Sequence, residues 1–130
     1  MIYKEITDKI LKCFYKVYNE LGYGFLEKVY EKAMFIELSR EGLDAKTQYG
    51  IEIFYDGCLI GEYCADILVN EKIIIELKAV DFIRKEHEAQ LLNYLKATKI
   101  EIGFLLNFGK KPMFKRMIFS NENKNPYLLV

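Results

Sequence analysis

The stretch ADILVNEKIIIELKAV, residues 65–80, is nearly all apolar yet carries Asp66, Glu76 and Lys78. Burying a charge is costly unless it is paired or binds a metal. Side chains alternate along a strand with period two, so Glu76 and Lys78 share one face while Ile75 and Leu77 share the other. Asp66 lies on the preceding strand, and a turn near Asn70-Glu71 would set it close to opposite Glu76. One hairpin can then present two carboxylates and an ammonium within a few ångströms. Carboxylates that close repel unless something positive stands between them. Lys78 could supply that charge, giving a structural salt-bridge cluster whose disruption costs about 3–5 kcal/mol and which ignores metals. The other solution is a divalent metal, since Mg²⁺ prefers oxygen ligands and uses one or two carboxylates plus waters and substrate phosphate. A lysine beside it can stabilise developing phosphate charge. The positions alone leave both solutions open.

The elements that position these residues follow from periodicity. Ile6, Ile10, Phe14, Val17 and Leu21 recur at helical spacing, and Gly22-Tyr23-Gly24 interrupts the pattern. A second helix is expected from about Phe25 to Arg40, with Leu26, Val29, Ala33 and Ile36 or Glu37 as its inward stripe and Gly42 closing it. The period then drops to two. Ile51, Ile53 and Tyr55 alternate, Asp56-Gly57 signals a hairpin turn, and YCADILV and KIIIELKAV follow as strands. KEHEAQLLNYLKAT suits a helix with Ala89, Leu92 and Leu95 or Lys96 inward. EIGFLLNFG is a short buried strand ended by Gly109, and KRMIFS a last edge strand. The order α-α-β-β-β-α-β makes the first three strands largely antiparallel and joins the next through a crossover. That is an α/β sandwich with a mixed sheet.

The chain's 130 residues suit one domain, 1–120, with a tail over 121–130 that shifts composition. At 52% apolar and 29% charged it is neither disordered nor membrane-spanning in composition. The charged N-terminus MIYKEITDKI lacks the apolar region of a signal peptide, so an intracellular, cytoplasmic protein is expected. Cys13, Cys58 and Cys64 are odd in number and lack C-x-x-C spacing, which indicates neither a disulfide framework nor a zinc site. Lys plus Arg and Asp plus Glu each total 19. A protein that grips nucleic acid by charge alone is usually strongly basic, so any such role rests on a local patch or a partner. Zero net charge also does little to oppose self-association, which is compatible with a homodimer.

The arrangement resembles the PD-(D/E)XK nuclease superfamily, whose αβββαβ core matches the order above with an extra N-terminal helix. Asp66 takes the place of the aspartate and Glu76-Leu77-Lys78 that of the (D/E)-x-K triplet, although Cys64-Ala65 replaces the proline before the aspartate. One branch is closer still. GFLEKVY, residues 24–30, reads G-x-x-E-x-x-Y, the pattern that names the GxxExxY family of small bacterial proteins. IIELKAV and HEAQLLNYLKAT…GFLLNFG are similar to its other two signatures. The resemblance implies a Mg²⁺- or Mn²⁺-dependent nuclease acting on DNA or RNA. Asp66 and Glu76 would ligate the metal together with the backbone carbonyl of Leu77, and Lys78 would orient or activate the attacking water. Glu27 would be an extra acid beside the metal, and Gln90, with Tyr94 four residues later, corresponds to the helix motif lining the site in RecB-like relatives. The alternative is a catalytically silent nucleic-acid- or protein-binding module that keeps the fold.

Several of these residues also have plain structural readings. Glu27 shares its helix with Glu31 and Glu37, and a carboxylate there suits the positive end of the helix dipole. His87, Gln90 and Tyr94 share one helix stripe that could line a cleft or form a solvent edge. His87, the only histidine, reads as a helix-surface residue rather than a catalytic one. Tyr30 and Tyr94 could pack on or hydrogen-bond the acidic cluster. The segment GKKPMFKR interleaves Lys110, Lys111, Lys115 and Arg116 with Phe114 and could meet phosphates and a base, or be a solvated turn.

Overall fold

The structure, a computed structural model, describes residues 3–128. Helices α1 (Lys4–Leu21) and α2 (Glu27–Arg40) precede strands β1 (Ala45–Tyr55), β2 (Cys58–Val69) and β3 (Ile73–Lys78). Helix α3 (Lys85–Lys96) leads to β4 (Ile102–Phe108) and β5 (Pro112–Ile118), and two single 3₁₀ turns close the chain. The strands form one sheet in the order β1-β2-β3-β4-β5. All neighbours are antiparallel except β3 and β4, which run parallel because α3 carries the chain across. This is the expected mixed α/β sheet, with the last edge strand present as β5. Among the described residues no helix is long and apolar enough to cross a membrane.

Turn chemistry sets the hairpins. Asp56 and Gly57, at φ 51° and 77°, link the paired residues Tyr55 and Cys58, the left-handed pair that a two-residue turn requires. Asn70 and Glu71, at φ 52° and 57°, turn β2 into β3. Gly42, at φ 80°, closes α2, where the Leu43 N–H reaches back to the Leu38 carbonyl.

The sheet buries both faces. Ile73, Ile75 and Leu77 of β3 pack with Phe14 of α1 and Met34 of α2. Ile74 and Leu105 pack with Leu91 and Leu95 of α3. The two later helices keep only part of the inward stripes that their apolar spacing predicts, Ala33 of α2 and Leu95 of α3. In α2 the buried stripe is Tyr30, Met34 and Leu38, while Leu26 is 81% exposed and Val29 and Ile36 lie at the surface. Apolar residues surround much of this helix, so spacing does not select a face. The Tyr30 ring does, stacking on Phe108 with centroids 4.1 Å apart. In α3 the inward residues are Leu91, Tyr94 and Leu95, with Ala89 exposed. Leu91 fills the notch over Gly103, where an added Cβ would come within 2.7 Å of it.

Buried polar side chains tie down the connections at the end of β3. The Asn107 amide is completely buried and bonds both the N–H and the carbonyl of Val80, at 3.0 and 2.9 Å. Tyr30 is also completely buried; its hydroxyl donates to the Gly22 carbonyl at 2.7 Å and accepts from the Phe25 N–H at 3.2 Å. A Cβ on Gly109 would collide with the Val80 carbonyl oxygen, a backbone atom held by Asn107. Gly109→Ala should therefore cost about 1–3 kcal/mol, as overpacking does. Urea unfolding of both proteins checks this; equal midpoints would show that the segment yields freely.

Candidate active site

The β2–β3 ladder runs from Val69↔Ile73 to Ile67↔Ile75 and stops there. One step further, the register places Asp66 opposite Glu76. Here the carboxylates replace the backbone ladder. Glu76 Oε2 accepts the Asp66 N–H at 2.7 Å, and Asp66 Oδ2 accepts the Leu77 N–H at 2.7 Å. Each strand's acid thus grips the other strand's backbone, and the two side chains are held at a fork in the sheet. Only one oxygen of each carboxylate is used. The other oxygens reach solvent, since no buried side-chain polar atom among the described residues lacks a partner.

Strand β1 adds a distortion on the far side of Asp66. The pairs Thr47↔Ile67 and Tyr49↔Ala65 bracket Gln48, which sits at φ 54°. A non-glycine residue in this region costs of order 1–3 kcal/mol and persists only where its surroundings fix it. What fixes it here is Glu31. Gln48 Nε2 donates to Glu31 Oε1 at 2.7 Å, and Lys28 Nζ lies 3.3 Å from Glu31 Oε2. Glu31 is only 6% exposed. Glu27, Lys28, Glu31, Gln48 and Asp66 line a cleft of about 220 Å³. Glu27, singled out from the sequence, is at this site but exposed; Glu31, one helical turn on, is the buried acid. The face that α2 buries places it there, a face that apolar spacing does not predict.

Lys78 is half-buried, yet among the described residues neither it nor Asp66 nor Glu76 enters an ion pair within 4.0 Å. A closed salt-bridge cluster is therefore not what these three residues form.

The sequence profile of the PD-(D/E)XK nuclease superfamily matches residues 4–117. The chain belongs to this superfamily. No curated protein matches it closely. Among solved structures, one titled "Crystal structure of SSO0001" superposes with a TM-score of 0.57 at 18% identity. That superposition covers 91% of this chain and 58% of the other, so the likeness is one of fold and the chain spans little more than half of its neighbour.

Electrostatics fit the signature positions of the superfamily. Burial, and then the adjacent Asp66 charge, push the Glu76 carboxyl from 4.5 up to about 8. Asp66 is raised as well, by burial first and then by Glu31 and Glu27, against the pull of the Leu77 N–H and Lys78. Ionising both acids of the fork is therefore unfavourable, because Lys78 does not offset burial and their mutual repulsion. The fork's donors are all oxygens, two of them free and open to solvent. Among the described residues no three His, Cys, Asp or Glu side chains converge closely enough to hold a metal unaided. The donor set fits a hard cation such as Mg²⁺ or Mn²⁺, which keeps several waters and needs only one or two carboxylates.

The remaining predicted residues divide into wall and scaffold. Gln90 Nε2 donates to the Tyr94 hydroxyl at 2.9 Å. Burial, followed by the charge of Glu76, pushes that hydroxyl up to about 12. This pair therefore stands within electrostatic reach of the fork, on its α3 side. His87 is taken up locally, its Nδ1 accepting the Arg84 N–H at 3.0 Å at the start of α3. Tyr30 does not hydrogen-bond the acids; its hydroxyl is spent on Gly22 and Phe25.

Proposed function

We propose that the chain is a GxxExxY-type member of the superfamily that hydrolyses phosphodiester bonds of nucleic acid with a divalent metal. The observation that carries this is the fork. Two carboxylates are each fixed by a backbone N–H of the opposite strand, each keeps one oxygen in reach of solvent, and neither has an ion-pair partner. Asp66 and Glu76, with the Leu77 carbonyl, would hold Mg²⁺ or Mn²⁺. Once bound, such an ion polarises a phosphate oxygen and lowers the pKa of water.

The chain's own residues do the rest. Lys78 keeps its ammonium unpaired beside the acids, where it neutralises charge developing on the phosphate and orients the attacking water. Glu31, clamped by Gln48 and Lys28, shapes the wall next to Asp66. The bonded pair Gln90 and Tyr94 limits the side nearest Glu76.

The test is cleavage of plasmid and single-stranded DNA by purified protein in Mn²⁺, with EDTA and Asp66→Ala as controls. Cleavage that both controls abolish is expected. Asp66→Ala cutting at the wild-type rate would overturn the proposal, and an inert wild-type protein would favour the silent binding module.

A further inference from the structure

Beside the fork lies a second, larger cleft of about 550 Å³, and Glu27 and Lys28 line both. Its walls are three backbone segments, and each is pinned by a side chain. Tyr30 holds Gly22 and Phe25, Asn107 holds Val80, and the Tyr18 hydroxyl lies 2.7 Å from the carbonyl oxygens of both Gly109 and Lys110. The cleft is thus built before anything enters it. Its rim is aromatic, with Tyr23 59% and Phe25 48% exposed. Through Asp81 and Lys110 it continues into a pocket of about 380 Å³ lined also by Phe82, Lys111 and Met113. Phe82 is 73% exposed.

Glu27 and Lys28 stand at the end shared with the fork; beyond them lie Asp81 and two lysines, Lys110 and Lys111. Neither of these lysines enters an ion pair among the described residues. Exposed rings interleaved with unpaired ammonium groups suit a ligand with apolar flat faces and regularly spaced negative charges. An unpaired nucleic-acid strand has both, whereas in a duplex the base faces are already stacked on one another.

We infer that this cleft is the track for a single nucleic-acid strand, with bases packed on Tyr23, Phe25 and Phe82 and phosphates meeting Lys110 and Lys111. Only the delivery of the strand to Asp66 and Glu76 rests on the phosphodiesterase proposal above; binding stands apart from it.

The test is therefore binding in EDTA, where no metal-dependent cleavage occurs. Fluorescence anisotropy is measured with a labelled single-stranded DNA, an RNA of the same sequence, and the matching DNA duplex. The wild-type protein should bind at least one single strand more tightly than the duplex. Phe25→Leu and the double change Lys110→Ser, Lys111→Ser should each weaken single-strand binding by at least about fivefold. Phe35→Ala, an exposed ring on α2 outside the cleft, should leave it unchanged. Phe25→Leu keeps an apolar contact for Tyr30, and the lysine change touches only exposed groups, so one folded variant is available whatever the other does. Preference for the duplex, wild-type affinity in the folded cleft variants, or no binding of any strand would overturn the inference. Mn²⁺-dependent cleavage persisting in that case would leave the phosphodiesterase proposal standing.

Discussion

Glu76→Gln should abolish metal-dependent cleavage while making the metal-free protein more stable. The two effects have one cause. Glu76 sits almost fully buried with its carboxyl raised to about 8, by burial and by Asp66. Between about pH 5 and 8 the folded protein holds a proton that the unfolded chain, with a carboxyl near 4.5, has already released. Metal-free wild-type protein must then lose stability as pH rises through that window and level off above it. The amide of Gln still accepts the Asp66 N–H but carries no charge, so the variant should melt higher at pH 8 and show a flatter profile. Its cost is chemical. Losing a carboxylate from a two-carboxylate site forfeits Lewis-acid stabilisation of several kcal/mol, so cleavage should fall by roughly a thousandfold or more. Thermal melts across pH in EDTA, beside cleavage in Mn²⁺, measure both effects. A variant less stable than wild type at pH 8 would show that Glu76 is held by compensations the fork does not display.

Lys78→Met should separate catalysis from metal binding. The side chain is half-buried and unpaired, so Met replaces its stem without orphaning a partner. No ligand is lost, and Mn²⁺ should still raise the melting temperature by binding the folded state. The lost ammonium lies beside both acids and lowers the pKa of each. Without it Asp66 and Glu76 hold their protons to higher pH, and because ligands must be deprotonated, the Mn²⁺ requirement shifts to higher pH as well. Cleavage should drop by about a hundredfold or more, the scale of losing one preorganised charge at a developing oxyanion. If Lys78→Met instead abolished the Mn²⁺ shift, Lys78 would be organising the fork itself rather than acting on the phosphate.

The sequence exposed the centre of this site better than its walls. Asp66 and Glu76 could be placed opposite each other because strand alternation and the turn at Asn70-Glu71 set a register, and the structure keeps it. Their cross-strand bonds were not readable, because they arise where the ladder stops and nothing in the residue order marks that point. Glu31 is hidden in the sequence for a different reason. Leu26, Val29 and Ile36 imitate an inward stripe, whereas the buried Tyr30, Met34 and Leu38 set the face from which Glu31 meets Gln48. Phe25 and Leu26, just before the helix, lie at the surface. For α3 the missed cue was Gly103, whose missing side chain admits Leu91. Tyr30 stands out in G-x-x-E-x-x-Y, but its work is to hold the loop before α2.

The most direct measurement is a calorimetric titration of Mn²⁺ into wild-type protein and Asp66→Ala at pH 8. One saturable site in the wild type that vanishes in the variant is predicted. No binding in the wild type, or the same isotherm in both proteins, would contradict a metal held between Asp66 and Glu76.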